Sequence, residues 1–250
     1  MQGSEPPPGP EQGPIFNVPA SVAGAAGVMI AVQIAIGLMP DQTALDFVRL
    51  LAFIPARYSG EAAQLPGGYP ACITSFVTYM LVHAGWLHLG VNLAWMVAFG
   101  SAVARRVGNR RFFYFSTLCG IAGALTHLAF HFGELAPVVG ASAAISGQMA
   151  GALRFVFGAA RQRGEPGAPP DFTRVPLATL GQTFGDPRIL AFLGIWIVIN
   201  VIFGFTAGPI VGAEGGVAWE AHIGGFLFGL LTFGVFDRGA TAAKQPPEWR

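Results

Sequence analysis

The stretch that organises this chain reads Gly140-Ala141-Ser142-Ala143-Ala144-Ile145-Ser146-Gly147-Gln148-Met149-Ala150-Gly151. It consists mostly of very small residues, carries a serine near its front, and lies between two long apolar segments, after the helix breaker Pro137. Small residues at helical spacing let two helix backbones approach closely in a membrane. A serine in such a run is either a packing residue or a nucleophile, and the rest of the chain decides between the two.

The composition is typical of a membrane protein. Of the 250 residues, 53% are hydrophobic and only 11% are charged, whereas about a quarter of the residues of soluble domains are charged. The net charge of +1 provides no basic surface, so no nucleic-acid partner is expected. The two cysteines, Cys72 and Cys119, do not make a disulfide framework. The lipid bilayer is therefore the expected surroundings of the chain.

Apolar segments of about 20 residues predict membrane-spanning helices, because that length crosses the hydrocarbon core. The predicted fold class is an all-α integral membrane protein with six transmembrane helices. The spans are expected at about residues 21–39, 73–103, 112–131, 139–157, 189–205 and 217–236. The beginning of the second span, Thr74 to Met80, is expected at or above the membrane surface.

The domain organisation follows from these spans. Residues 1–19 are expected to form a disordered, proline-rich tail, residues 20–237 the membrane domain, and residues 238–250 a charged tail. A loop of roughly thirty residues after the first span is expected to be partly helical and to lie in the interface. A polar linker, 161–188, shows no apolar periodicity.

The distribution of cations predicts the orientation. With the N-terminus in the cytoplasm, only Arg49 and Arg57 of the 14 Lys and Arg residues lie outside. The positive-inside rule favours this arrangement, with both termini cytoplasmic. The helices that begin near Ser142 and His222 then enter the membrane from outside. His83, His88 and Asn92 lie in the outer part of the second span, so the polar residues meet at one depth.

His222 lies inside a predicted span, where an ionisable side chain is costly and is a functional candidate by default. Gly225 and Gly229 share its helical face and permit close approach of another backbone. The stretch around Ser142 offers the matching surface of small residues. Such contact would bring the serine hydroxyl within reach of the imidazole, as activation of a serine nucleophile requires.

The predicted second span carries two polar side chains that could take part in the same site. His88 and Asn92 are four residues apart, hence on one helical face, and both side chains can donate hydrogen bonds to a developing oxyanion. We find no aspartate or glutamate deep in any predicted span, so a Ser-His dyad is preferred to a Ser-His-Asp triad. Taken singly, Ser142 is also explained by helix packing, His222 by a helix–helix hydrogen bond, and His88 with Asn92 by a buried polar clamp.

Three signatures in this order resemble those of the rhomboid intramembrane serine proteases. They are His83-x4-His88-x3-Asn92, Gly140-x-Ser142 and Ala221-His222-x2-Gly225-x3-Gly229, and they cover the chain from about residue 70 to 236. The resemblance implies a rhomboid-like bundle of six helices around a water-filled cavity open to the outside. It implies a bacterial inner-membrane location, with the active site toward the outer face.

The resemblance also implies residue roles. Ser142 would be the nucleophile and His222 its general base, with an acyl-enzyme intermediate and without a cofactor or metal. His88, Asn92 and the backbone N–H of Ser142 would form the oxyanion hole, while His83 would pack beneath the first loop. Gly140, Gly225 and Gly229 would support the site. The substrates would be transmembrane segments of other membrane proteins, and the oligomeric state is not predicted.

The chain departs from the family pattern at three places. Ala143 follows the nucleophile where the family usually has glycine, and Thr74-Ser75 stand where many members carry Trp-Arg. Ser146 stands where some members carry an aromatic residue that stacks on the histidine. A catalytically inactive rhomboid-like protein that binds membrane clients is therefore the alternative, favoured by Ala143 alone.

Other functions fit the sequence less well. A transporter would carry polar residues through the full membrane thickness, and a zinc protease would carry His-Glu-x-x-His. His127 and His131 are four apart near the outer end of the third span, but a metal site is not expected there because no carboxylate or cysteine accompanies them.

Overall fold

A computed structural model describes residues 18–161, 172–173, 175–206 and 217–237. Residues 1–17 of the predicted N-terminal tail, 162–171 of the linker and the whole tail 238–250 lie outside the described residues. The described chain is helical, and its isolated β-bridge pairs Phe53 with Val138. The all-α prediction is confirmed for these residues.

The helices are numbered here in chain order. They are α1 (Ala20–Leu38), α2 (Asp41–Leu51), α3 (Pro70–Thr78), α4 (Trp86–Val107), α5 (Asn109–Phe130), α6 (Ser142–Arg161), α7 (Leu180–Phe184), α8 (Pro187–Thr206) and α9 (Trp219–Phe236). Short 3-10 turns lie at Pro55–Tyr58, Glu61–Ala63 and Tyr79–Leu81.

Among the described residues, four helices are long and apolar enough to cross a membrane: α1, α4, α5 and α9. The helix α6 has 20 residues, but its glycines, serines and Gln148 make it less apolar than the others. The helix α8 is apolar over Pro187–Ile202, the part in which every side chain is described. The chain is thus an integral membrane protein by these helices, and the number six stays a prediction.

The segment predicted at 73–103 is divided in the structure. The helix α3 ends in the turn Tyr79–Leu81, the backbone becomes extended at Val82, and α4 begins at Trp86. The carbonyl oxygen of Tyr79 accepts a hydrogen bond from the backbone N–H of Gly140 at 2.9 Å. The break between the two helices therefore holds the loop that leads to Ser142.

The loop between α1 and α3 contains the helix α2 and a buried arginine. Arg57 donates hydrogen bonds to the carbonyl oxygens of Pro66, at 2.9 Å, and Arg49, at 2.6 Å. The backbone of Phe53 exchanges two hydrogen bonds with that of Val138. This loop therefore lies over the segment between α5 and α6. In the predicted linker, α7 begins with a capping box of Thr179 and Gln182.

Three helices form the centre of the molecule: α5, α6 and α9 each pack extensively against the other two. Gly147 and Gly229 allow α6 and α9 to touch through their backbones, since a Cβ on either would collide with the facing helix. At the opposite end from Ser142, Arg106 forms a buried two-pronged ion pair with Asp237, with N–O distances of 2.9 and 2.7 Å. The start of α6 is packed between α5 and α9, because Ala143 lies against Gly123 and Gly225.

Candidate active site

The side chains of Ser142 and His222 meet between the first turns of α6 and α9. Ser142 Oγ lies 2.7 Å from His222 Nε2, a normal hydrogen-bond distance. The two residues are 80 positions apart in sequence. The contact depends on Gly225, because a Cβ there would fall on the carbonyl oxygen of Ala143.

A third side chain holds the imidazole. Asn200 is buried on α8, and its Oδ1 lies 2.5 Å from His222 Nδ1. The amide nitrogen of Asn200 donates to the carbonyl oxygen of Trp196 at 2.8 Å, so its oxygen faces the histidine. His222 Nδ1 therefore carries the proton, and Nε2 presents its lone pair to the hydroxyl of Ser142.

The position of Ser142 at the start of α6 provides backbone donors. The first N–H groups of a helix have no partner within the helix, and the helix dipole makes this end electropositive. Ile145 is the first residue of the stretch whose N–H is bonded into the helix, to the carbonyl oxygen of Ala141 at 3.0 Å. The backbone N–H of Ser142 thus lies before the first hydrogen-bonded turn of α6, where it can donate to an anion.

His83 and His88 lie beside Gly140, two residues before the start of this helix. Gly140 has φ of +113°, and a Cβ on it would come within 2.8 Å of His88 Cε1 and 2.9 Å of Nε2. Both the backbone conformation and the imidazole therefore require glycine here. The rings of His83 and His88 are 5.2 Å apart in an edge-on arrangement.

The orientation of His88 is fixed by its other ring nitrogen. The backbone N–H of Ala84 donates to His88 Nδ1 at 3.4 Å, which leaves Nε2 as the protonated nitrogen on the side of Gly140. Asn92 is buried one turn further along α4 and donates to the carbonyl oxygen of His88 at 2.9 Å. Asn92 thus braces the turn that carries His88 and retains a second N–H.

The methyl group of Ala143 points away from the nucleophile. It packs against α5, where a Cβ on Gly123 would lie only 2.5 Å from it. Ala143 is helical, and among the described residues every positive φ belongs to glycine. The position therefore does not need the conformational freedom of glycine. Ser146 donates to the carbonyl oxygen of Ser142 at 2.8 Å and provides no ring against His222.

The family model of the Rhomboid domain matches residues 71–238, well over half of the sequence. The chain belongs to the rhomboid family. No curated protein matches it. The matched region begins in α3 and includes all the side chains described above, from His83 to His222.

Two residues, one at this rhomboid site and one near it, were not singled out from the sequence. Asn200 was missed although an amide inside an apolar segment is a functional candidate. The pattern that could have revealed Asn200 is its helical spacing from Ile189, Leu193 and Trp196, which together form the buried face of α8. Glu220 was the second, and the statement that no carboxylate accompanies His127 and His131 is wrong, because Glu220 Oε1 lies 3.0 Å from His131 Nε2.

Proposed function

We propose that this rhomboid-family protein is an intramembrane serine endopeptidase that cleaves transmembrane segments of other membrane proteins. The observation that carries the proposal is the 2.7 Å contact between Ser142 Oγ and His222 Nε2, with Asn200 bound to the opposite ring nitrogen. A nucleophile, a base and a group that orients the base are the arrangement needed to activate a serine hydroxyl.

In the proposed reaction, Ser142 Oγ attacks the carbonyl carbon of the scissile peptide while its proton passes to His222 Nε2. The C–N bond then breaks, and His222 gives that proton to the leaving amine, which leaves an acyl ester on Ser142. A water molecule loses a proton to the same nitrogen and attacks the ester. Release of the new carboxyl terminus returns the proton to Ser142.

We assign the stabilisation of the negative charge that develops on the carbonyl oxygen to hydrogen-bond donors at the start of α6 and on α4. The backbone N–H of Ser142 and the Nε2–H of His88 are the two direct donors in this proposal, and Asn92 contributes its second N–H. A single donor of this kind is worth about 3 kcal/mol in the transition state. His83, which packs on His88, has a supporting role.

The proposal includes the placement in the membrane. Six spans with both termini cytoplasmic would put the Ser142 end of the molecule at the outer face, in agreement with the positive-inside rule. We place the protein in a bacterial inner membrane, as the family resemblance implies. Arg106 and Asp237, at the far end, would then lie near the cytoplasmic surface.

The decisive experiment compares two serines that are one turn apart. Purified protein in liposomes is given a single-span substrate, with Ser142→Ala as the test and Ser146→Ala as the matched control. We expect Ser142→Ala to abolish cleavage and Ser146→Ala to retain it, with both proteins folded. Cleavage by the Ser142→Ala protein would refute the assignment.

The alternative, a rhomboid-like protein that binds clients without cutting them, is distinguished by covalent labelling. A fluorophosphonate should add to Ser142 in the wild type and not in His222→Ala, as read by intact mass spectrometry. An unlabelled wild type of unperturbed fold would favour the binding protein. The packing of Ala143 against Gly123 supports the protease over this alternative, because the methyl group fills space beside α5.

A further inference from the structure

Two histidines and a carboxylate converge near the rhomboid site but outside it. His127 and His131 lie at the end of α5, and Glu220 lies in the first turn of α9. One nitrogen or oxygen of each residue can be chosen such that all three atoms lie within 4.8 Å of one another. The residues come from helices that are distant in sequence, so the cluster exists only in the folded protein.

The three side chains approach one another in pairs. The two imidazole rings are stacked, with centroids 4.2 Å apart and an interplanar angle of 19°. His131 Nε2 lies 3.0 Å from one oxygen of Glu220, and His127 Nδ1 lies 3.7 Å from the other. The second distance is too long for a hydrogen bond, and His127 Nδ1 is buried without a hydrogen-bond partner.

A buried polar atom that lacks a partner is rare and requires an explanation. Here the unpartnered nitrogen faces a carboxylate that is itself about nine-tenths buried, with a side-chain exposure of 10%. A cation between them would accept the lone pair of His127 and offset the buried charge of Glu220. Two histidines four apart on a helix are also the spacing with which metal-binding helices hold zinc.

We propose that His127, His131 and Glu220 bind a divalent transition-metal ion, for which Zn²⁺ is the best match. Imidazole nitrogen and carboxylate oxygen are zinc ligands, whereas Mg²⁺ and Ca²⁺ prefer oxygen alone. Three protein ligands leave one tetrahedral position for water. The carboxylate of Glu134 lies 3.0 Å from His131 Nδ1, the ring nitrogen that does not face Glu220, and so would orient the imidazole without binding the ion itself. The half-exposed side chain of Glu134 gives the ion a path from the aqueous side.

The bound ion would join two helices at the level of the proposed catalytic pair. Glu220 precedes His222 by two residues, so zinc would tie the first turn of α9 to the end of α5. The ion stabilises the folded state by mass action, since the three ligands come together only there. It has no part in the peptide-bond chemistry, and the proposal does not depend on the proteolytic one.

The test measures zinc binding to the full-length protein in detergent, after removal of any affinity tag. The Ser142→Ala protein serves as the parent, and Zn²⁺ is titrated in competition with a chromogenic chelator. We expect one ion per chain in the parent and a loss of at least tenfold in affinity in His127→Gln/His131→Gln and in Glu220→Gln. Zinc should raise the thermal midpoint of the parent and not that of these two variants.

The matched control removes the other neighbouring pair of histidines. His83→Gln/His88→Gln should bind zinc like the parent. Loss of binding in this control, with binding retained in the His127→Gln/His131→Gln protein, would overturn the proposal. X-ray absorption of the zinc-loaded parent is independent of any folding defect in the variants. Two imidazoles and oxygen in the coordination shell support the site, and a shell of oxygen alone refutes it.

Discussion

Asn200 accepts a hydrogen bond from Nδ1 of His222 at 2.5 Å, and this contact sets which nitrogen of the imidazole faces Ser142. The amide is itself fixed, because its nitrogen donates to the carbonyl oxygen of Trp196 within the same helix. A neutral imidazole held in this way has its lone pair at Nε2, where a base for Ser142 needs it. Asn200 thus occupies the place that a carboxylate has in a Ser-His-Asp triad, without a buried charge.

Replacement of Asn200 by alanine should slow acylation of Ser142 while the protein stays folded. The imidazole loses the group that selects its tautomer, and general-base catalysis is worth about 10²- to 10⁴-fold. We expect a fall of about 100-fold in kcat with little change in KM, because Asn200 acts on the base and not on the substrate. Asn200→Asp keeps an oxygen toward Nδ1 and should retain more activity than alanine. Equal losses in the two variants would assign Asn200 a packing role only.

The glycine contact between α6 and α9 gives a second prediction. A Cβ at Gly225 would collide with the backbone of Ala143, which cannot move without displacing Ser142. Overpacking of this kind costs about 1–3 kcal/mol. Gly225→Ala should therefore lower the thermal midpoint and the rate of fluorophosphonate labelling together.

The matched control for Gly225→Ala is Gly27→Ala. Gly27 is also in an apolar helix, but a Cβ there meets no atom within 4 Å. This variant should leave the midpoint and the labelling rate unchanged. If both glycine variants behave alike, the close approach of α6 and α9 does not control the site.

Much of the site could be predicted because its residues are unusual for their surroundings. Histidine, asparagine and serine are costly in apolar segments, so the sequence alone indicated His88, Asn92 and His222 as functional candidates. Family signatures then placed Ser142 among them. The face of a helix on which a glycine lies also follows from spacing alone, and Gly225 does meet α6 as expected.

The remainder depends on contacts that spacing does not encode. Glu220 and His131 are 89 positions apart, and only the packing of α9 on α5 brings them together. The break between α3 and α4 was hidden for a related reason: the residues around Val82 are apolar, so hydropathy continues across them. The break is accompanied by a tertiary hydrogen bond, from the N–H of Gly140 to the carbonyl oxygen of Tyr79, which sequence spacing does not reveal.

The buried pair Arg106–Asp237 gives a prediction for stability. The guanidinium and carboxylate are almost fully buried, and Arg106 also donates to the carbonyl oxygens of Phe172 and Val175. Removal of one partner from a buried ion pair costs about 3–5 kcal/mol, because the other charge stays buried. Asp237→Asn should therefore lower the thermal midpoint strongly. The half-exposed Arg188 side chain pairs with Asp186, so Arg188→Gln should have a far smaller effect. Similar shifts in the two variants would contradict this account.

Ala143 gives the last prediction, because its methyl group and the missing side chain of Gly123 fit one another. A Cβ at Gly123 would lie 2.5 Å from the Ala143 methyl carbon and 2.6 Å from the carbonyl oxygen of Ala221. Gly123→Ala should therefore separate α5 from both α6 and α9, with a loss of stability and of Ser142 labelling. Ala143→Gly alone should leave labelling near the wild-type rate, because the methyl group points away from Ser142.

The double variant Gly123→Ala/Ala143→Gly completes the cycle. Compared with Gly123→Ala, it removes the collision with the methyl carbon and keeps the collision with the carbonyl oxygen of Ala221. It should therefore recover part of the thermal midpoint and of the labelling rate that Gly123→Ala loses. Additive losses would show that the two positions do not touch. If the Ala143 methyl group only fills the space beside Gly123, Ala143→Gly alone should not raise the labelling rate. A large rise in that rate would show instead that the methyl group restricts the proposed oxyanion site.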